Sequence, residues 1–183
     1  ANATGSAAQM RTITKWGGFE FCASGGSFKD CINLDFYVPT GNPAITYPIS
    51  LHSAFSGCTS LSPNPTDLQG WDTSAATTFY ETFLGCINFN ASVNGWNANN
   101  VTNTTRMFAG CDIFNQPFDW WNSPGRSTAN LVTATSMFEG ASSFNHPLAD
   151  FVVTGIGGLK VVQLSEFIAG GMKGELDVPG LLK

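Results

Sequence analysis

Apolar and polar positions along this chain follow a long repeat. The stretch 101–121 reads VTNTTRMFAGCDIFNQPFDWW. A similar string, ATTFYETFLGCINFNASVNGW, occupies 76–96, and LVTATSMFEGASSFNHPLADF occupies 131–151. A fainter copy built around AFSGCTSL ends at Trp71. Phe55, Phe83, Phe108 and Phe138 share one column, and Gly57, Gly85, Gly110 and Gly140 share another. Cys58, Cys86 and Cys111 align, with Ala141 as the fourth member. Phe89, Phe114 and Phe144 align behind Leu61, and Asn90, Asn115 and Asn145 follow directly. Trp71, Trp96 and Trp121 are spaced by 25 residues, and Phe151 takes that place in the last copy. Self-similarity at a period of roughly 20 to 50 residues marks a solenoid or array.

The columns have a physical reading. A unit of this length cannot bury its own apolar face, so neighbouring units must stack. Each column then becomes a ladder, with Phe and Trp rings in offset contact inside. The glycine column marks a backbone position with positive φ or a close approach. The Asn column is expected to be buried and to satisfy backbone groups at a bend. Asp72, Asn97 and Asn122 follow the Trp column and suit Asx turns.

Within a repeat, a short strand is expected at the VT segment, with Val101 and Leu131 inward and Ala76 as the weak copy. Spacings of three and four around Phe79 and Phe83 predict a brief helical or 3-10 turn, carrying Met107–Phe108 and Met137–Phe138 in the later copies. Residues 1–48 show no repeat by this reading. Two alternating runs, 16–22 and 31–38, predict strands joined by a Gly-Ser turn. They suit an end cap, or an arm that adds to a neighbour's sheet edge. Repeats fill 49–159, and 160–183 reads as a degenerate last coil around Phe167 and Gly170 followed by a second cap.

The repeats resemble the leucine-rich-repeat-like surface repeats of the BspA type, in the variety of roughly 25 residues. The residues that carry the resemblance are Val101, Thr102, Asn103, Met107, Phe108, Gly110, Cys111, Phe114, Asn115, Gln116, Pro117 and Trp121, with WDTS at 71–74 and SMFEGASSFNHPL at 136–148. Thr104 and Ala134 stand where that pattern prefers Met, and Ala76 where it prefers Val. The resemblance implies an α/β fold: a right-handed solenoid of four to five coils, with short parallel strands, short helical turns and non-repeat caps. It implies a bacterial or microbial-eukaryote surface protein, and names no ligand.

Composition narrows the function. Formal net charge is −5 and 11% of residues are charged, against about 25% in an average globular chain. Hydrophobic content of 43% and aromatic content of 13% support a core. Eight Lys and Arg without a basic run exclude a nucleic-acid partner. The apolar tract 151–164 is broken by glycines and is too short to span a membrane. The small, polar start ANATGSAAQM suits the mature end left by signal cleavage, or an artificial start.

Five cysteines make an odd count. Cys22 and Cys31 are the disulfide candidates, the alternative being two free thiols in the cap. Coils spaced by about 4.8 Å would bring Cys58, Cys86 and Cys111 within disulfide range. Parallel side-chain vectors spoil that geometry, so buried thiols acting as small hydrophobes are expected. No CxxC pair points to zinc.

Sequons occur at Asn2, Asn90, Asn100 and Asn103. Asn90 lies in the ladder and is expected to stay unmodified, which leaves Asn2, Asn100 and Asn103 as glycan candidates in a secreted eukaryotic protein. His52 and His146 sit inside repeats, and no nucleophile, metal or phosphate-cradling motif appears, so neither catalysis nor a cofactor is expected. A contact surface is expected at Phe118, Trp120 and Arg126, residue types favoured at interfaces, unless these residues cover the core. A threonine array for ice is interrupted at Val132, two rungs being too few. The expectation is a non-catalytic extracellular or cell-surface protein that contacts copies of itself or another surface protein. Filament or coat assembly is placed ahead of a monomeric adhesin.

Overall fold

The structure, a computed structural model, describes residues 7–16, 19–40, 49–63, 68–117, 124–146, 153–155 and 158–160. A single 3-10 turn, Ala7–Gln9, precedes β1 (Thr12–Lys15), which pairs in parallel with β2 (Asp35–Thr40). β3 (Ile49–Ser50) pairs in parallel with β4 (Ala76–Thr78), and parallel bridges continue from Thr78 to Asn103 and from Asn103 to Thr133. β5 (Val153–Gly155) and β6 (Gly158–Lys160) form an antiparallel pair. Ala76 in β4 is buried, as are Val101 and Leu131, each two residues ahead of a bridge; the strand expected at 101 and at 131 is reduced to the single bridges at Asn103 and Thr133.

Regular strands are short because most of each repeat is a run of linked turns. In one repeat the N–H groups of Leu51, Ser53, Phe55 and Gly57 donate to Thr78, Tyr80, Thr82 and Leu84 in the next. The alternate N–H groups, of Ala54, Ser56 and Cys58, donate three residues back to Leu51, Ser53 and Phe55. The same alternation joins the repeat at 79–85 to 103–109 and the one at 104–110 to 133–139. A helical turn would direct every N–H back into its own segment. The expected helical turn at Met107–Phe108 and Met137–Phe138 is therefore replaced by turns, because every second N–H belongs to the neighbouring repeat.

This ribbon needs positive φ at the third residue of two successive turns. Gly57, Gly85, Gly110 and Gly140 supply one position, with φ between 69° and 76°. Ser53, Glu81, Arg106 and Ser136 supply the other, at 50° to 55°. That second column has no glycine in these four copies, so no glycine signal marks it in the sequence.

The inner faces carry the aromatic columns. Phe28, Phe55, Phe83, Phe108 and Phe138 stack ring on ring, with centroids 5.3–5.7 Å apart and planes within 11°. Phe89, Phe114 and Phe144 form a second stack at 5.8–5.9 Å. The two stacks touch inside each repeat, with Phe83–Phe89 at 4.0 Å and Phe108–Phe114 at 4.2 Å. Offset pairs of this kind contribute about 0.5–1.5 kcal/mol each beyond the area they bury. Trp71 and Trp96 stack at 5.7 Å, and Trp96 donates its indole N–H to the Leu68 carbonyl. Trp121 and Phe151 lie outside the described residues, as do Asn122, Phe167 and Gly170. Gly95 permits the close approach beside Trp96, since a Cβ there would land on the Gln69 carbonyl.

The first repeat lies earlier than the sequence pattern indicates. Gly26, Phe28 and Asp30 donate to His52, Ala54 and Ser56 in the same alternation, and Cys31 and Leu34 fill the Cys and Leu columns. Here Gly26 and Asp30 fill the two positive-φ slots, with the glycine in the other slot, and Gly25 has positive φ as well. Residues 24–35 are thus a copy of the turn ribbon. The expected hairpin of 16–22 with 31–38 does not form, because 31–34 is needed as a turn and β2 pairs with β1 instead. The cap proper is Trp16, Phe19 and Phe21. Trp16 stands edge-on to Trp71 at 5.1 Å, and Phe19 stacks on Phe28 at 5.1 Å.

Thr104 is fully buried in the column of Leu51, Phe79 and Ala134, and among the described residues nothing bonds its hydroxyl. An orphaned buried hydroxyl costs about 1–3 kcal/mol. Thr104→Val keeps the shape and removes that cost. It is expected to raise stability by about 1 kcal/mol in a denaturant melt, and a lower midpoint at unchanged slope would contradict the assignment.

Candidate functional site

The cysteine column is held by hydrogen bonds. The thiols of Cys58, Cys86 and Cys111 donate to the carbonyls of Phe28, Phe55 and Phe83 in the preceding repeat, at 3.0–3.1 Å. Each of those carbonyls also accepts the N–H three residues on, from Cys31, Cys58 and Cys86. Burial pushes all three thiols well above the ordinary range. These groups are packing elements and not nucleophiles at neutral pH.

The expected Cys22–Cys31 disulfide is not formed; all five cysteines are free. Cys31 turns into the core with the repeat it belongs to, and its thiol is raised by burial and by the neighbouring Asp30 charge. Cys22 stays in solvent, 3.0 Å from the Ser24 hydroxyl, and hydrogen bonds from Ser24 lower its pKa.

The Asn column is a ladder on the outside of the stack rather than a buried one. Asn90 Oδ1 accepts the N–H of Asn115, and Asn115 Oδ1 accepts that of Asn145, both at 2.9 Å. Asp35 does the same for Ser62. Asn90 is half-buried, while Asn115 and Asn145 are exposed. Asp72 and Asn97 close Asx turns onto Ser74 and Asn99.

Two of the glycan candidates are tied into the stack. Asn100 is exposed, yet its Nδ2 donates to the Ser74 carbonyl at 2.8 Å. Asn103 Oδ1 accepts from Thr105 N–H, and its carbonyl accepts from Phe79 N–H and the Thr78 hydroxyl. A glycan on Asn100 Nδ2 would replace one of its two N–H donors, leaving one for the bond to Ser74. Asn2 lies outside the described residues.

Of the expected contact patch, Phe118 and Trp120 lie outside the described residues. Arg126 is half-buried, and its guanidinium forks onto the Asn94 and Gly95 carbonyls of the preceding repeat, the Gly95 bond measuring 2.9 Å. It clamps the 124–130 segment to the preceding repeat. Each histidine contacts a neighbouring repeat. His52 sits edge-on to Tyr80 at 4.8 Å, and His146 Nε2 lies 3.1 Å from the Asn115 carbonyl.

Other exposed groups are ones that the sequence expectation does not name. Arg106 is exposed and lies between the half-buried Glu81 and Glu139 at 3.8 and 3.7 Å, a column of charges of little energetic weight. Ile32, Ile87 and Ile113 are 42–46% exposed on the turn after the cysteine column. They fall between the ladder columns, where no repeat signal draws attention to them. Among the described residues no group of His, Cys, Asp and Glu is placed to hold a metal ion, and no helix is long and apolar enough to cross a membrane.

This geometry occupies the part of the chain that matches a known family. The chain belongs to the family described as "Mycoplasma protein of unknown function, DUF285", whose model matches residues 49–164. The match fits a BspA-type repeat protein in outline. No curated protein and no solved structure matches the chain. The copy at 24–35 lies ahead of the matched region.

Two measurements test these assignments. A thiol reagent applied to the native protein is expected to modify Cys22 alone, with all five cysteines reacting after unfolding; a second fast native equivalent would contradict the buried, hydrogen-bonded column. Arg126→Ala is expected to cost about 1–2 kcal/mol through the lost charged fork, with Arg126→Lys recovering only part because an ammonium cannot span both carbonyls. An unchanged melt for Arg126→Ala would show that the clamp contributes nothing.

Proposed function

We propose that the protein is a non-catalytic, extracellular or cell-surface repeat protein that works through protein–protein contact, as a self-assembling subunit of a filament or coat. Its stacked repeats read as a leucine-rich-repeat-like right-handed solenoid. The observation that carries the reading is the sameness of the joint between repeats. Each coil presents N–H groups at alternate residues on one face and matching carbonyls on the other. A joint that is its own complement can extend beyond one chain, and a heterologous contact that does not close makes a fibre. The sparsely charged, Asn- and Thr-rich surface favours close packing of copies over mutual repulsion. The non-catalytic part is supported by the thiols of Cys58, Cys86 and Cys111, which are committed to carbonyls and held away from the thiolate form.

A second reading, a monomeric adhesin, is favoured by Ile32, Ile87 and Ile113, which put apolar surface on one edge of the stack. Electron microscopy and sedimentation velocity of the purified chain separate the two. Assembly predicts filaments or sheets and a mass that grows with concentration. A constant monomer mass up to high concentration sinks the assembly reading and leaves the adhesin.

A further inference from the structure

The dipeptide Asn-Gly occurs once in the chain, at Asn94–Gly95. The pair forms the centre of the turn that enters the tryptophan column, closed by the Trp96 N–H donating to the Val93 carbonyl at 2.9 Å. Glycine stands at 95 for space. Its φ lies outside the left-handed region, and a Cβ there would land on the Gln69 carbonyl of the preceding repeat. Packing thus forbids a side chain at 95, and its absence leaves the Gly95 amide nitrogen unshielded from the Asn94 side chain. Among the described residues no acceptor meets the Gly95 N–H. The preceding repeat makes the same turn with Gln69–Gly70, the Trp71 N–H donating to the Leu68 carbonyl. A glutamine would have to close a larger, slower-forming ring, so the chemistry of this turn is confined to Asn94.

That chemistry is succinimide formation. The Gly95 nitrogen bonds to Asn94 Cγ and gives up its proton, the Cγ–Nδ2 bond breaks, and ammonia leaves. Water then opens the imide at either carbonyl, which gives aspartate or isoaspartate. Closing the ring needs rotation about the Asn94 Cα–C bond, out of its turn value, and this swings the 94–95 peptide plane. The plane is held twice. Arg126 donates to the Asn94 and Gly95 carbonyls, the latter at 2.9 Å, and the Trp96–Val93 bond closes the turn across it. The guanidinium has two opposed effects. It polarises the 94–95 peptide and makes the Gly95 N–H more acidic, which favours attack. Yet the rotation carries the Asn94 carbonyl out of the fork before the ring can close. The polarisation is then absent where it would help, and the restraint decides the rate.

We propose that Asn94–Gly95 is this chain's site of succinimide and isoaspartate formation, and that Arg126 restrains it in the native fold. Isoaspartate at 94 adds one carbon to the main chain just ahead of Trp96. The Trp96 ring stacks on Trp71 at 5.7 Å, and its indole N–H holds the Leu68 carbonyl. The modified turn unseats that ring, so the reaction marks an aged joint between two repeats. The proposal stands whether the chain assembles or remains a monomer.

Peptide mapping by mass spectrometry, with isoaspartate resolved from aspartate, follows Asn94 during incubation in mildly alkaline buffer. Three samples are compared: the native chain, the same chain unfolded in denaturant, and native Arg126→Ala. Near-UV circular dichroism checks that the variant keeps its aromatic core. Arg126→Lys, which can hold one carbonyl but not both, replaces it if it does not. Labelling of the buried Cys86 and Cys111 thiols under the same conditions reports any parting of the coils. Product at Asn94 is expected fastest in the unfolded chain and slowest in the native one. Arg126→Ala is expected to react roughly tenfold faster than the native chain, as befits loss of a charge-assisted hydrogen bond, with thiol labelling unchanged. Equal rates in the native and unfolded chains overturn the restraint, and an unchanged rate in the variant overturns the part given to Arg126. A rise matched by an equal rise in thiol labelling also overturns that part, because parting of the coils then explains it. Absence of product at Asn94 in the unfolded chain overturns the site.

Discussion

The division of backbone N–H groups between a coil and its neighbour governs this structure. One N–H closes the coil's own turn, and the next reaches across to the following coil. Neither set alone is a regular element, so neither helix nor long strand results. The alternation fixes register, because a slip of one residue would exchange inward and outward donors along the whole segment. With register fixed, equivalent residues must lie over one another. The parallel Phe rings follow from that placement, and their contact then stabilises the arrangement that placed them.

Such a backbone has consequences for composition. A turn ribbon leaves N–H and carbonyl groups near the surface at each bend, and short neutral side chains satisfy them. Asn90 and Asn115 bridge coils, Asn88 donates to Thr59, and Thr73 both accepts from Asn97 N–H and donates to its carbonyl. Longer charged side chains could not fill these positions at the same spacing. The low charged fraction of the sequence is therefore a requirement of the turns as much as a property of the surface.

Much of this was legible in the residues and some was not, for identifiable reasons. Between 55 and 140 the Phe and Gly columns are each written in one residue type, and the Cys column departs from it only at Ala141, so the eye can align them. The column of Ser53, Glu81, Arg106 and Ser136 shares only a backbone angle, which leaves no compositional trace. The coil at 24–35 escaped because Asp30 stands in the glycine slot and Gly26 in the other, although Phe28, Cys31 and Leu34 keep the column spacing. The cysteines show the limit of spacing arguments. Nearness of Cys22 and Cys31 in the chain suggested a bridge, but membership of the Cys column sends Cys31 inward. Arg126 was legible as an unusual residue and not as a clamp, since its partners are carbonyls, which every residue possesses.

The unequal lengths between copies have a further meaning. The Phe column is spaced by 28, 25 and 30 residues, yet the ring separations stay at 5.5–5.7 Å. The seams are thus fixed whatever number of residues runs between them. A whole unit spliced in or deleted at such a seam would meet, above and below, the mating surface it already had. Descendants of different height can then arise from one ancestor by copying or losing units, with no retuning of the interior.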